Sequence, residues 1–234
     1  MFQFKQFSVD QTGCAMKINT DGVLLGALAG SENHATILDI GTGTGVIALM
    51  LAQRFTGAKI DAIEIDENAA KTAENNFKNA PFCANLSVFS FSFEMFFVNY
   101  PYKKYDLIIS NPPFHINSLE SPKAKKSLAK HVGEEFFENL IQQVSAHLTA
   151  DGLCWLILPL QAAELVKQLA YQHKLYLQKV ITVRSFGNSE PHREILVLGY
   201  QEISTEMVKF TIYQSKDNYS DEYKTLLKPY FIAF

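Results

Sequence analysis

From residue 36 onward the apolar positions alternate between two spacings. Short runs rich in apolar residues at 36–40, 59–65, 105–110 and 153–159 read as buried strands. After the first two runs the period lengthens to that of a helix, over 46–54 and 66–79. Asp66 is a natural cap for the second helix, and Asn75, Asn76 and residues 79–81 read as its end. Residues 86–93 alternate and predict a strand that runs into a loop. Residues 118–130 are polar and rich in lysine, which predicts another loop before a helix over roughly 133–148. A further helix is expected over 161–173. The strands at 177–185 and 193–200 are joined by only residues 186–192, too few for a crossover helix, so they pair antiparallel.

Strands separated by helices build a parallel sheet with helices on both faces. The chain therefore reads as α/β: a Rossmann-like, mostly parallel sheet of seven strands that ends in an antiparallel hairpin. Phe2, Phe4 and Phe7 open the chain as an extended aromatic segment. A helix follows from Asp21, with Val23, Leu24, Ala27 and Leu28 on its apolar face and Thr20 or Asp21 as its cap. The tail offers a strand at 208–214 and a short helix. The 234 residues suit one domain, divided into a cap segment (1–35), a core (36–200) and an extension (201–234).

Composition narrows the class. The formal charge of −3 weighs against broad, non-specific nucleic-acid binding, although a local basic patch can still steer RNA. No run is long and apolar enough to span a bilayer, and the first residues do not form a signal peptide. Cys14, Cys83 and Cys154 lack metal or redox spacing and read as reduced packing residues. A cytoplasmic protein without a metal site or membrane partner is expected.

The candidate chemistry begins where the first strand stops. Asp39-x-Gly41-x-Gly43-x-Gly45 leads straight into a helix, an order that makes a nucleotide cradle at a strand's carboxyl end. Val46 stands where a NAD fingerprint needs a small residue, and no Gly-Lys-Ser/Thr triplet follows for a P-loop. Glu64 and Ile65 end the next strand, where a carboxylate can accept both hydroxyls of a ribose. The pattern resembles the S-adenosylmethionine (SAM) site of class I methyltransferases. On that reading the segment before the first strand folds over the cofactor and offers Lys17, Thr20 and Asp21. The acid that many such enzymes place after the third strand is missing, leaving Ser90 or Ser92 for the adenine contact.

The fourth strand runs into Asn111-Pro112-Pro113-Phe114. An exocyclic amine of a nucleobase is a poor nucleophile, because its lone pair is delocalised into the ring. Acceptors against both amine hydrogens favour a tetrahedral nitrogen with a localised pair. The Asn111 side chain and the Pro112 main-chain carbonyl are such acceptors, and consecutive prolines strip donors from the turn. Phe114 offers a face for stacking an unpaired base. Both motifs sit at strand ends that open on the same edge of the sheet. No general base stands out; His115 is adjacent, and solvent can take the proton from the strongly acidic methylated amine.

Over nearly its whole length the chain resembles the bacterial tRNA(Val) adenine-N6 methyltransferase family. Phe4-Lys-Gln-Phe7, Cys14-Ala-Met-Lys-Ile18 and Thr20-Asp-Gly-Val-Leu-Leu-Gly26 are similar to that family's head. Leu38 to Gly45 and Ser110 to Phe114 match its cofactor and catalytic motifs, and Glu190-Pro-His-Arg193 and residues 219–234 its tail. The resemblance implies methylation of the adenosine 3′ of the anticodon of a valine tRNA. Lys5, Lys17, Lys123, Lys125, Lys126, Lys130, Arg184 and Arg193 are then candidates for phosphate contacts. Guanine-N2 methylation of ribosomal RNA, glutamine-N5 methylation of a protein, and a non-catalytic SAM- or RNA-binding role are the alternatives the motifs leave open.

Overall fold

The structure, a computed structural model, describes residues 1–30, 34–113 and 124–234. The head contains β1 (Phe2–Gln3), β2 (Ser8–Val9) and α1 (Thr20–Leu28). The core follows as β3 (Thr36–Ile40), α2 (Val46–Arg54), β4 (Lys59–Ile63), α3 (Glu67–Lys78), β5 (Leu86–Phe89), α4 (Phe93–Asn99) and β6 (Tyr105–Ser110). It continues through α5 (Ala124–His147), β7 (Leu148–Leu158), α6 (Leu160–Gln172), β8 (Tyr176–Phe186) and β9 (Pro191–Gly199). The tail adds β10 (Glu206–Ser215), β11 (Asn218–Tyr219) and α7 (Asp221–Leu227).

The main sheet runs β11-β10-β8-β9-β7-β6-β3-β4-β5. Strands β5, β4, β3, β6 and β7 are parallel, and β9 lies antiparallel between β7 and β8. The mostly parallel sheet with a terminal hairpin is thus as expected, but it has nine strands instead of seven. The difference is the tail. Strand β10 pairs in parallel along the edge of β8, with Val208 opposite Ile181, and so covers backbone that would otherwise be an open edge.

The pleat sends the apolar residues of these strands to both faces. Ile37, Leu107 and Ile109 face a core built with α1, α2, the head and the tail, while Leu38 and Ile108 face a second core under α4, α5 and α6. Helix α2 is buried from Val46 to Ala52 because the sheet lies on one side of it and α1 on the other. Phe4 of the head and Leu227 of the tail are fully buried in that same core. Among the described residues no helix is long and apolar enough to cross a membrane.

Four local expectations are corrected. The cap of α1 is Asn19, whose side chain accepts the Gly22 N–H at 2.9 Å, and not Thr20 or Asp21. Helix α3 begins at the expected cap, Asp66, which accepts the Ala69 N–H at 2.8 Å, but it runs past Asn75 and Asn76 to Lys78. Strand β5 stops at Phe89, and Ser92 caps α4, which buries Phe93, Phe96 and Phe97 at helical spacing. Helix α5 already starts at Ala124, so most of the polar stretch expected as a loop is helical, in keeping with its alanines and lysines.

Candidate functional site

The parallel register brings Ile40, Ile63 and Ser110 level at one rim of the sheet. From Ile40 the chain turns through Gly41, Gly43 and Gly45 at φ +73°, +56° and +82°. The N–H groups of Gly41 and Thr42 both donate to the Ile63 carbonyl, at 2.9 and 3.0 Å. The three glycines serve two purposes. A Cβ on Gly41 or Gly43 would meet nothing within 4 Å, so their bare backbone faces open space. A Cβ on Gly45 would lie 2.5 Å from the Phe77 ring, so this glycine lets α3 close against the turn.

Asp39 lies beneath the turn, fully buried, and accepts the Thr42 hydroxyl at 2.6 Å. Burial pushes its carboxyl up to about 7, against the lowering pull of the Thr42 hydroxyl and the Ala48 amide. It shapes the loop from behind and does not reach the cavity wall. Glu64 stands on the open side. One of its oxygens accepts the Gly43 N–H at 2.8 Å and the other the Asp66 N–H at 3.0 Å. An ionised carboxylate has about four acceptor positions, so two remain for a ligand's hydroxyls.

Ser110, the last residue of β6, donates its hydroxyl to the Ile40 carbonyl at 2.7 Å. That bond ties the two strand ends together and sets Asn111 beside the glycine turn. Among the described residues the Asn111 side-chain oxygen is buried without a hydrogen-bond partner. A buried acceptor left unpaired costs about 1–3 kcal/mol, so this oxygen is suited to a donor brought in by a ligand. The Asn111 amide nitrogen lies 3.7 Å from where Gly22 would carry a Cβ, which places the first turn of α1 behind it.

These elements enclose a cavity of about 380 Å³. Of the residues expected from sequence, Gly41, Gly43, Glu64, Ile65, Ser92, Asn111, Pro112 and Pro113 line it. The head meets it through Cys14, Ala15 and Met16 in place of Lys17, Thr20 and Asp21. The Asp21 carboxylate is instead held by Arg193 at 2.8 Å, across the start of β9. Phe91, Phe93, Glu94 and Phe136 also line the cavity, none of them anticipated. Phe93 and Glu94 belong to the first turn of α4, and Phe91 stands just before its Ser92 cap. Ser92 spends its hydroxyl on the Met95 N–H, at 3.3 Å, as the helix cap. Phe136 carried no local signal, because only the fold brings α5 over this rim.

The expected RNA contacts are dispersed. The Lys5 ammonium donates to the Lys228 and Phe234 carbonyls, at 2.6 and 2.7 Å, and ties head to tail. Arg184 and Arg193 stand at the end of β8 and the start of β9, on the rim that carries the cavity. Lys125, Lys126 and Lys130 are on the first turns of α5, while Phe114, His115 and Lys123 lie outside the described residues.

The wall chemistry suits an adenosine-bearing cofactor: apolar surfaces from Ile65, Phe91 and Phe93, a carboxylate for a ribose, and two glycines that leave space against the backbone. Comparisons with known proteins agree with the fold and sharpen the class. Residues 18–179 match the model of the methyltransferase small domain family. The chain is 50% identical over 233 residues, all of its own length and 98% of the relative's, to a protein of Pedobacter heparinus named tRNA1(Val) (adenine(37)-N6)-methyltransferase. A protein of the same name from Christiangramia forsetii is 39% identical over 99% of this chain and 97% of its own. The solved structure of a predicted O-methyltransferase from Agrobacterium tumefaciens superposes with a TM-score of 0.70 at 16% identity, covering 90% of this chain and 96% of that one. At that identity the likeness concerns the fold alone.

Proposed function

The chain belongs to the tRNA1(Val) (adenine(37)-N6)-methyltransferase family, and we propose that it transfers a methyl group from SAM to N6 of the adenosine 3′ of the anticodon of a valine tRNA. The observation that carries this reading is the unpartnered Asn111 oxygen, set by the Ser110–Ile40 bond on the same cavity as Gly41, Gly43 and Glu64. SAM supplies an electrophilic methyl sulfonium when bound.

Everything else is the work of this chain's residues. Glu64 keeps the glycine turn in shape through Gly43 and would hold the ribose hydroxyls on its two free acceptor positions. Ile65 and Phe91 on the cavity wall would hold the adenine, and the turn's backbone at Gly41 and Gly43 leaves space for the rest of the cofactor. Asn111 and the Pro112 carbonyl accept the two hydrogens of the target amine, which draws its lone pair out of the ring and toward the methyl group. Pro113 holds the turn extended, and Phe114 stacks the target base. A base in an anticodon loop is already unpaired, so turning it out costs less than from a duplex. The nitrogen becomes acidic on methylation and sheds its proton to water. Preorganised acceptors that need no reorientation during transfer are the main catalytic contribution.

The test is to incubate the protein with labelled SAM and total RNA from cells lacking the activity, then identify the modified nucleoside by mass spectrometry. N6-methyladenosine in the tRNA fraction is the expected product. Label on guanosine or in protein instead would overturn the assignment.

A further inference from the structure

The head segment reaches the cavity in a particular way. Residues 10–18 form a closed loop. The Asp10 carboxylate accepts the Thr12 N–H at 3.1 Å and hydroxyl at 2.8 Å, and the Gln11 side-chain oxygen accepts the Ile18 N–H at 2.8 Å. The far part of this loop, Cys14 to Met16, is wall of the cavity. Its near end is seated on α3. The Thr72 hydroxyl donates to the Thr12 carbonyl at 2.7 Å, and Gly13, at φ +77°, turns with its open side 3.7 Å from the Asn68 Cβ.

Asn76 stands at the centre of this seat. It lies in the last turn of α3 and is 4% exposed, an unusual burial for an asparagine whose side chain neither caps the helix nor reaches water. Its oxygen accepts the Asp10 N–H at 2.8 Å. Its amide nitrogen donates to two carbonyls, Asp10 of the head and Thr44 of the glycine turn, both at 2.9 Å. One side chain therefore holds both backbone groups of a head residue and one carbonyl of the turn that precedes α2.

We infer that Asn76 is a positioning residue that couples the head's cover of the cavity to the glycine turn that receives the cofactor. Coupling of this kind is reciprocal. A ligand that fixes the turn favours the seated head, and a seated head raises affinity for that ligand. The inference rests on the cofactor reading above and adds a role that neither the glycine motif nor the Asn-Pro-Pro turn supplies.

Cys14, buried on the cavity wall, is the reporter. The experiment measures its alkylation by iodoacetamide in a Cys83→Ser background, with and without S-adenosylhomocysteine, and the affinity of that ligand by calorimetry. Cys154 is fully buried and stays silent. In the parent, S-adenosylhomocysteine slows Cys14 labelling. In Asn76→Ala, labelling without ligand rises and affinity falls, each by about tenfold, the scale of one or two lost hydrogen bonds. If Asn76→Ala does not fold, Thr72→Val carries the test. Because the Thr72 hydroxyl also bonds the Cys14 thiol, this variant is read by affinity alone, which should fall by about threefold, within the lower range for one lost tie to Thr12. Parental affinity in the folded variants, with parental labelling in Asn76→Ala, would overturn the coupling and leave the proposed activity standing. Failure of the parent to bind S-adenosylhomocysteine at all would overturn the cofactor reading itself, and the coupling with it.

Discussion

Asn111 and Asp39 are two polar residues at one rim with opposite surroundings. Asn111 presents its acceptor at the cavity, whereas Asp39 is sealed beneath the turn with Thr42. Replacing Asn111 by alanine should lower turnover by about 10²-fold, the usual size of a lost transition-state hydrogen bond. Affinity for S-adenosylhomocysteine should stay within about threefold of the parent, roughly the scatter among substitutions that leave a site's shape intact. Steady-state kinetics and calorimetry separate the two quantities, and unchanged turnover would remove Asn111 from the reaction. Asp39 makes a prediction about pH. Its folded-state pKa is raised by burial to about 7, so the stability it contributes is complete below the ordinary carboxylate range and is lost as pH rises through 7. Asp39→Asn cannot ionise and should flatten that loss by at most about 1.4 kcal/mol per pH unit, the value for one proton. Urea unfolding of both proteins at pH 5 and pH 8 reads the difference. The placement of Gly41, Glu64 and Asn111 at one cavity was legible because each stands at the end of a strand run. Asp39 was legible as a motif residue but not as a buried one, since burial depends on the neighbouring strands.

At the scale of elements, β3, β4, β6, α2 and the β8–β9 hairpin were legible, because buried strands and an apolar helix leave continuous signals. Helix α4 was not. Its seven residues carry three phenylalanines, and the alternating stretch before it masks a change of period. The Asn76 seat was hidden for a related reason: two adjacent asparagines read locally as a helix end, whereas hydrogen bonds to partners 66 and 32 residues away make one of them a packed bridge. The junction of the glycine turn with α2 and α3 gives an element-scale prediction. In Gly45→Ala the new methyl would fall 2.5 Å from the Phe77 ring, at a φ that side chains rarely adopt. The backbone strain alone costs about 1–3 kcal/mol. Thermal unfolding should therefore shift down by several degrees, and the paired change Phe77→Leu should recover part of the loss. A melting temperature equal to the parent's would show that α3 does not press on the turn.

Across the whole molecule, head and tail close one core around a sheet whose rim carries the chemistry. Phe4 and Leu227 meet in that core although they are far apart in sequence, and Lys5 adds its two bonds to tail carbonyls. This closure explains why the tail extends the sheet instead of trailing from it. It also explains why Lys5 was misleading as an isolated positive charge. Basic side chains that do meet RNA should show themselves through salt. Replacing Lys123, Lys125 and Lys126 together with alanine should weaken tRNA binding and reduce the salt slope by about 0.7–0.9 for each phosphate no longer neutralised. An identical slope would make that cluster a bystander. The central claim concerns one amine on one nucleotide, and the most direct measurement uses two valine tRNA transcripts. One carries the natural adenosine 3′ of the anticodon and the other a guanosine there. Each is treated with SAM and mapped by mass spectrometry of nuclease fragments. A single methyl on N6 of that adenosine, and none on the guanosine transcript, is the predicted result; methylation of both transcripts, or at another base, would contradict it.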